Sequence, residues 1–274
     1  AMILSSAPLR ISFFGGGTDY PSYYKKYGGK VISTAIDKYV HVILKNKAPF
    51  NEEKFILCYS SIEKCNSIDE IKHPGIRATL SYLKFQKPLE MHIIGDIPAK
   101  TGLGSSSCFT VALLKALYTY MGEKRSQREI AFDAMRIEQS LMNDNVGSQD
   151  QYASAIGDLN EIIFATTGEI THTALNLPLE IESEFFSSLY LCFTGVKRLA
   201  SNVALEQINK IENGSIDQQT HELSQIAKAA LVALKNYNLH EFAHLLNETW
   251  KVKRLLTNKI SNKEIDEIYE HGIN

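Results

Sequence analysis

A glycine- and serine-rich segment between a predicted strand and a predicted helix limits the possible folds more than any other feature. It covers Pro98–Ser107 and reads Pro-Ala-Lys-Thr-Gly-Leu-Gly-Ser-Ser-Ser. The pattern predicts a strand over Glu90–Gly95 before it and a helix over Ser105–Met121 after it. Gly102 and Gly104 allow a tight turn, and the free amides of a helix N-terminus bind anions. The segment predicts either a phosphate-binding loop or a plain serine-capped turn.

The remaining elements are mixed along the chain without strict βαβ alternation, which is typical of an α+β protein. Further strands are predicted at Ile3–Ser12, Val31–Thr34, Tyr39–Leu44, Phe55–Tyr59 and Leu189–Thr194. Further helices are predicted at Pro74–Phe85, Gln127–Leu141, Gln149–Ile156, Leu199–Ile211, Gln219–Asn236, Leu239–Leu255 and Lys263–Tyr269. Most glycines lie at or before Gly168 and helical patterns dominate after Gly214, so we predict two domains, 1–180 and 181–274.

The composition argues against several classes of protein. The 274 residues include 29 basic and 31 acidic side chains, and a net charge of −2 argues against general nucleic-acid binding. No run of about 18 apolar residues predicts a membrane span, and residues 1–10 lack the pattern of a secretion signal. The four cysteines form no C-x-x-C pair, which favours reduced thiols in a cytoplasmic protein, with Cys108 and Cys192 in the core.

Two carboxylates downstream of the loop are candidates for catalysis. Glu138 lies on the helix predicted from Gln127, and Asp150 follows twelve residues later. Phosphoryl transfer needs a metal ion on the phosphates and an orienting or basic group near the acceptor hydroxyl. Glu138 suits the first role and Asp150 the second. Taken alone, each residue is better explained as a solvated helix glutamate or a helix-capping aspartate, because most carboxylates are exposed.

The N-terminal segment contains a third cluster. Gly15, Gly16 and Gly17 offer bare backbone to a ligand, and Thr18 and Asp19 follow them. The Asp19 carboxylate offers acceptors for sugar hydroxyls. The upstream side chain of Arg10 offers a rigid fork of donors. A hairpin turn with exposed charged residues is the alternative.

Together these segments resemble the GHMP kinase superfamily, which includes galactokinase, homoserine kinase and mevalonate kinase. Ala7–Tyr20 fits the frame A-P-x-R-x-x-x-x-G-x-x-T-D-Y, and Pro98–Ser107 is similar to the family's phosphate-binding motif. Glu138 and Asp150 match the metal-binding glutamate and the catalytic aspartate. The resemblance implies a two-domain α+β fold, with a ribosomal-S5-like N-terminal domain and a ferredoxin-like C-terminal domain.

The resemblance also implies a role for each motif. Asp150 would orient or deprotonate the acceptor hydroxyl, and Arg10 would keep Asp150 ionised. Mg²⁺ would be held by Glu138 and by Ser106 or Ser105. The residues implied to bind the ATP phosphates are Lys100, Gly102, Leu103, Gly104, Ser105, Ser106 and Ser107. Those implied to bind the acceptor are Gly15, Gly16, Gly17, Thr18 and Asp19.

One branch of the family, the D-glycero-D-manno-heptose 7-phosphate kinases, resembles the chain further. These enzymes phosphorylate an anomeric hydroxyl. The additional matches are Gln149–Ala153, Phe193–Gly195 and Ser261–Tyr269. Another acceptor, such as fucose or galactose, and a non-catalytic sugar-binding protein are alternatives. The expected ligands are ATP, Mg²⁺ and a small sugar or sugar phosphate, with no nucleic-acid or membrane partner, and a homodimer is left open.

Two further expectations concern the acceptor and the C-terminus. Four cations, Lys25, Lys26, Lys197 and Arg198, are either contacts for an acceptor phosphate or ordinary surface charges. The resemblance implies a third glycine-rich motif, packed against the phosphate loop. The sequence ends at Asn274, before the expected place of that motif, so the C-terminal domain is expected to be truncated.

A metalloprotease-like motif is the remaining rival. His240-Glu241-Phe242-Ala243-His244 has the form H-E-x-x-H on a predicted helix, and Glu264 lies twenty residues after His244. The helix pattern places Phe242 on the apolar face and both histidines on the polar face. We therefore interpret the motif as a solvated helix surface rather than a zinc site.

Overall fold

A computed structural model describes residues 2–99, 101–195 and 200–273. The strands are β1 (Met2–Phe14), β2 (Gly29–Lys45), β3 (Phe55–Cys58), β4 (Ile62–Cys65), β5 (Leu89–Gly95), β6 (Leu159–Phe164) and β7 (Ile170–Ala174). The helices are α1 (Pro21–Tyr27), α2 (Pro74–Tyr82), α3 (Ser105–Met121), α4 (Gln127–Arg136), α5 (Gln149–Ile156), α6 (Leu179–Ser187), α7 (Ala200–Glu212), α8 (Asp217–Lys235), α9 (Leu239–Lys253) and α10 (Lys263–Ile273). Strands and helices are mixed, which confirms the predicted α+β class.

The chain divides into two compact units that interleave along the sequence. The first contains residues 2–10, 35–146 and 150–157; the second contains residues 11–34 and 147–149 and the described residues from 158 onward. The long strands β1 and β2 pair with each other, and each contributes residues to both units. The predicted division near residue 180 stays a prediction.

The first unit is built around a buried helix. In its sheet, β3 pairs in parallel with β5 and antiparallel with β4, and β5 pairs antiparallel with Val40–Lys45 of β2. From Ser107 to Tyr118, every residue of α3 except Lys115 is buried. A helix that is apolar on nearly all sides belongs inside a core. The burial of α3 therefore fixes where its N-terminus, and the loop before it, can lie within this unit.

The second unit combines a small sheet with most of the C-terminal helices. Gly29–Thr34 of β2 pairs antiparallel with β6, and β6 pairs antiparallel with β7. Phe13, Phe185 and Phe242 meet edge to face at 5.3–5.6 Å between ring centroids, inside an apolar cluster that includes residues of α8 and α9. Such pairs add specific geometry to the burial of apolar area.

Several predicted elements agree closely with the structure. The bounds of α3 and α5 are those predicted. Pro8 does not interrupt β1; its carbonyl accepts a hydrogen bond from Ser154 Oγ. The two predicted strands between 31 and 44 form the single strand β2. No described helix is long and apolar enough to cross a membrane.

The predicted strand Leu189–Thr194 is wrong. This segment has no regular structure, and its large side chains Tyr190, Leu191 and Phe193 are exposed. Cys192 is exposed as well, so its predicted place in the core is also wrong. A strand requires a neighbouring strand to bind its backbone amides and carbonyls. All described strands end by Ala174, and the ferredoxin-like C-terminal domain therefore stays a prediction.

Candidate active site

The glycine- and serine-rich loop ends in a helix N-terminus that no side chain caps. Gly104 is the N-cap residue of α3, and its φ of 73° is left-handed, a conformation that favours glycine. The serines at 105–107 form the first turn of the helix, so the alternative of a serine-capped turn is wrong. The first amides of a helix have no partner within the helix and bind anions in the field of its dipole. The loop can therefore bind a phosphate group.

Arg10 joins this loop to Asp150. The Arg10 Nε donates to Asp150 Oδ1 at 2.7 Å, and a terminal nitrogen of the same guanidinium donates to the Gly102 carbonyl at 3.2 Å. The backbone amide of Arg10 donates to the Leu103 carbonyl. A Cβ atom built on Gly104 would lie 3.2 Å from Asp150 Oδ2, so the carboxylate lies directly beside the start of α3. Arg10, Asp150 and the loop thus form one cluster within the first unit.

Asp150 is also placed favourably by its own helix. It is the second residue of α5, where the positive end of the helix dipole stabilises a carboxylate. Burial is incomplete, since the Asp150 side chain is 29% exposed and that of Arg10 is 14% exposed. A half-buried carboxylate with one oxygen on an arginine and the other beside an anion-binding loop can accept a proton from a bound hydroxyl.

Glu138 lies inside the first unit as a buried carboxylate. It belongs to a π-helical turn, Ile137–Leu141, that continues α4, and both Ile137 and Glu138 are buried there. The sequence pattern predicts Glu138 on a regular helix from Gln127, and the π-helical turn corrects that prediction. An extra residue in a turn rotates the side chains that follow, and such turns are frequent at functional sites.

Three neutral donors surround the Glu138 carboxylate. The hydroxyls of Ser107 and Thr110 donate to it at 2.8 and 2.9 Å, and the Gln151 amide donates as well. Burial raises the pKa of Glu138 to about 7, and these hydrogen bonds oppose that rise. The Ser107 hydroxyl therefore faces Glu138, so only its backbone amide can serve the predicted phosphate contact. Ser106 is exposed.

The raised pKa of Glu138 predicts a pH-dependent effect of Glu138→Gln on metal-free protein. Below about pH 4.5 Glu138 is protonated in both states. As pH rises towards 7, the unfolded chain ionises first, so the folded state loses stability, and a pKa difference of about 2.5 corresponds to about 3 kcal/mol. The test is urea unfolding in the presence of a chelator. The free energy of unfolding of Glu138→Gln minus that of wild type should be larger at pH 8 than at pH 5. The exposed Glu52→Gln is the control; an equal difference at both pH values contradicts the prediction.

The space beside the first residue of the glycine run, Gly15–Gly17, is filled by other parts of the protein. A Cβ on Gly15 would lie 1.8 Å from the Lys30 carbonyl oxygen, and Gly15 is buried. The buried Thr18 hydroxyl donates to the Gly15 carbonyl at 2.7 Å and contacts the backbone of Lys30. The backbone of β2 therefore fills the space beside Gly15 and Thr18, and their predicted contact with an acceptor stays a prediction. Beside Gly17, in contrast, no atom of the described residues lies within 4 Å of a built Cβ.

Asp19 forms hydrogen bonds with the segment before α5. Its carboxylate accepts hydrogen bonds from the backbone amides of Gly17 at 3.0 Å and Gln149 at 3.2 Å, and its backbone carbonyl accepts one from the amide of Ser148. A Cβ on Gly147 would lie 1.9 Å from Asp19 Oδ2. Each oxygen of this buried carboxylate therefore accepts a hydrogen bond from one backbone amide, and the predicted contact of Asp19 with sugar hydroxyls stays a prediction.

Several predicted cations do not enter this geometry. Lys100, Lys197 and Arg198 lie outside the described residues. Lys25 and Lys26 are exposed in the last turn of α1.

The H-E-x-x-H motif lies on α9. Its residues His240 and His244 are exposed and Phe242 is buried, which confirms the predicted helix face. Within the described ranges, no group of three potential metal-ligating His, Cys, Asp or Glu side chains occurs.

Sequence reasoning missed four polar residues near these clusters. Thr110 and Gln151 contact Glu138, while Gln149 and Lys253 lie near Ser12 and Gly16, respectively. Gln149 and Gln151 flank Asp150 in the sequence, and that repeated polar residue was an available signal. Thr110 lies three residues after Ser107, hence on a neighbouring part of the same helix face. Lys253 is distant in sequence, and no local pattern indicates it.

Comparisons with known proteins give the same family. Residues 72–158 match the family described as GHMP kinases N terminal domain. A D-glycero-alpha-D-manno-heptose 7-phosphate kinase from Campylobacter jejuni is 28% identical, covering 99% of this chain and 83% of that protein. A galactokinase from Thermosipho africanus is 26% identical, covering 97% and 74%. The solved structure of a D-glycero-D-manno-heptose 1-phosphate kinase from Bacteroides thetaiotaomicron has a TM-score of 0.77 at 24% identity, covering 93% and 79%.

The relatives are kinases of sugar hydroxyl groups, which use ATP, and the fold agrees with a phosphotransferase of this class. Residues 72–158 match the N-terminal domain of GHMP kinases, and the chain is similar over nearly its whole length to sugar kinases, in agreement with the resemblance of its motifs. Every described strand and the phosphate loop lie within its first 174 residues.

Proposed function

We propose that this sugar kinase of the GHMP family transfers the γ-phosphoryl group of ATP to the anomeric hydroxyl of D-glycero-D-manno-heptose 7-phosphate. The observation that carries the reaction type is the Asp150 carboxylate, held by Arg10 beside the N-terminus of α3. The substrate is supported by the name of the Campylobacter relative, a D-glycero-alpha-D-manno-heptose 7-phosphate kinase.

The ATP phosphates would bind at the loop before α3. The open amides of Ser105, Ser106 and Ser107 supply donors, and Gly102, Leu103 and Gly104 bring the backbone close to the ligand. Lys100 completes the proposed set by its place in the motif. Binding would place the γ-phosphate near Asp150, because the loop and Asp150 already lie together.

Asp150 would act on the acceptor hydroxyl. Its Oδ1 accepts a hydrogen bond from Arg10 Nε, which fixes the orientation of the carboxylate. The hydroxyl proton would pass to the Asp150 carboxylate as the sugar oxygen bonds to the γ-phosphorus, and the bond from that phosphorus to the bridging oxygen of ADP would break. The product would be a sugar 1-phosphate that keeps its 7-phosphate.

Glu138 and Ser106 would hold the Mg²⁺ that accompanies ATP. The donor chemistry fits, because Mg²⁺ prefers oxygen ligands and the Glu138 carboxylate is surrounded by neutral hydroxyl and amide groups. A cation near this buried carboxylate would favour its ionised form and lower its pKa. When bound, Mg²⁺ neutralises charge on the transferring phosphates.

An acceptor screen tests this proposal. ATP consumption is measured with D-glycero-D-manno-heptose 7-phosphate, unphosphorylated heptose, galactose and fucose. We expect the heptose phosphate to give the highest kcat/KM, with a product phosphorylated at the anomeric oxygen. Higher kcat/KM with galactose would instead favour the galactokinase relative as the guide to substrate. A lack of turnover with every sugar would favour a non-catalytic sugar-binding protein.

We also propose a cytoplasmic location. Cys58, Cys65, Cys108 and Cys192 are all free thiols, and free thiols are typical of a reducing compartment. The homodimer stays a prediction.

A further inference from the structure

We propose that Gln151 is a positioning residue for the cation that accompanies ATP. Its Nε2 would hold the Glu138 carboxylate in the orientation that the cation requires, and its Oε1 would accept a hydrogen bond from a water molecule bound to that cation. The inference rests on the proposed function, because it assumes that Glu138 binds Mg²⁺. It adds a third residue to the proposed cation site of Glu138 and Ser106.

The first observation is the contact between Gln151 and Glu138 inside the first unit. Gln151 is fully buried and Glu138 is 1% exposed, and the Gln151 Nε2 donates to Glu138 Oε2. The same oxygen accepts the Ser107 hydroxyl, whereas the other carboxylate oxygen accepts that of Thr110. Three neutral donors thus fix both oxygens, and side chains that orient a metal ligand in this way commonly set its affinity for the metal.

The second observation is an acceptor without a donor on the same side chain. The buried Oε1 of Gln151 has no hydrogen-bond partner among the described residues. The opposite orientation of the amide would not remove this cost, because it would place Oε1 against the Glu138 carboxylate, where two acceptors would meet. A buried amide oxygen is costly unless it is bonded, so a donor that enters with a ligand would satisfy it.

The charges around Glu138 favour a cation as that ligand. Within the described ranges, Glu138 accepts hydrogen bonds from neutral side chains, and no lysine or arginine pairs with it there. An ionised carboxylate that is buried without a cationic partner is unfavourable. Mg²⁺ supplies positive charge and commonly keeps several of its water molecules when it binds to one or two carboxylates. Each such water is a hydrogen-bond donor, which is the group that Gln151 Oε1 lacks.

The position of Gln151 on α5 connects the cation with the acceptor. Asp150, the residue proposed to act on the acceptor hydroxyl, is its neighbour in the helix. Successive side chains of a helix point about 100° apart, so α5 directs Asp150 to the N-terminus of α3 and Gln151 to Glu138. A cation that fixes Glu138 and Gln151 would therefore also hold the helix that carries Asp150.

The test compares Gln151→Met with wild type and uses Thr79→Val as the matched control. Methionine keeps the length of glutamine without its amide. Thr79→Val also removes a buried hydrogen bond in the same unit, because the Thr79 hydroxyl donates to the Gly75 carbonyl within α2. Urea unfolding establishes that each variant is folded.

Calorimetry then measures the binding of a non-hydrolysable ATP analogue over a series of Mg²⁺ concentrations. The Mg²⁺ requirement is the concentration at which the gain in affinity is half-maximal. Gln151→Met should raise this requirement about 10- to 100-fold, the usual effect of losing a group that orients a metal ligand. The affinity for the analogue in a chelator should not change, and Thr79→Val should match wild type under both conditions.

Gln151→Glu keeps the test decisive if Gln151→Met does not fold. Glutamate keeps an acceptor at this position and adds a negative charge, which attracts the cation more strongly than the lost donor weakens the site. Its Mg²⁺ requirement should therefore lie at or below that of wild type, and a higher requirement would overturn the inference. An unchanged requirement in Gln151→Met would overturn it as well.

A double variant separates action through Glu138 from a structural role. In a Glu138→Gln background, Gln151→Met should not raise the Mg²⁺ requirement further, because the effects of residues that act together are not additive. Equal effects in both backgrounds would contradict the inference. If Glu138→Gln alone leaves the Mg²⁺ requirement of wild type unchanged, the proposed cation site itself fails, whatever Gln151 does.

Discussion

We expect Asp150→Asn to lower kcat by about 10²- to 10⁴-fold, the usual contribution of a positioned acid or base. Asparagine keeps the size of aspartate and an oxygen that can accept from Arg10 Nε, so the ion-pair geometry at 2.7 Å is largely retained as a neutral hydrogen bond. What is lost is the negative charge and the ability to accept a proton. The affinity for ATP should change little, because in the proposed binding mode the amides of α3, and not Asp150, would bind the phosphates.

Steady-state kinetics with the best acceptor, together with calorimetric ATP binding, measures both quantities. Asp69→Asn is the matched control, since Asp69 is an exposed aspartate in the same unit. A kcat for Asp150→Asn within a few-fold of wild type would refute the proposed role of the carboxylate. Loss of ATP binding without loss of kcat at saturating ATP would assign Asp150 to nucleotide binding instead.

The parts of the site that sequence analysis predicted are those set by short-range rules. Helix periodicity fixed the bounds of α3, and the glycines before it indicated a loop with open amides. The meeting of Arg10 with Asp150, which are 140 residues apart, came from the family resemblance rather than from any local pattern. Periodicity alone contains no information about which distant segments meet.

The errors have the same origin. Gly15 was expected to leave space for a ligand, but the carbonyl of Lys30 on β2 fills that space. Glu138 was placed on a regular helix, whereas a π-helical turn buries it. Apolar residues at 189–194 predicted a strand, yet strand formation depends on a partner that the sequence of the segment does not supply. Each case is a tertiary contact overriding a local preference.

We expect Gly15→Ala to destabilise the protein by about 3 to 6 kcal/mol, which is a large part of the stability of a typical domain. Two costs combine. The φ of 83° is strained for alanine, and the new Cβ would lie 1.8 Å from the Lys30 carbonyl oxygen. That oxygen belongs to the backbone of β2, which is paired with β6, so it cannot move without disturbing the sheet. Urea unfolding at pH 7 gives the free energy of unfolding directly.

Gly17→Ala separates the two costs. Its φ of 103° is also left-handed, but within residues 2–99, 101–195 and 200–273 no atom lies within 4 Å of the built Cβ, so we expect only the backbone strain of about 1 to 3 kcal/mol. The difference between the two variants therefore measures the close approach of Gly15 to β2. Equal losses of unfolding free energy would mean that β1 and β2 can separate locally at little cost, and that the glycine at position 15 is required only for its φ angle.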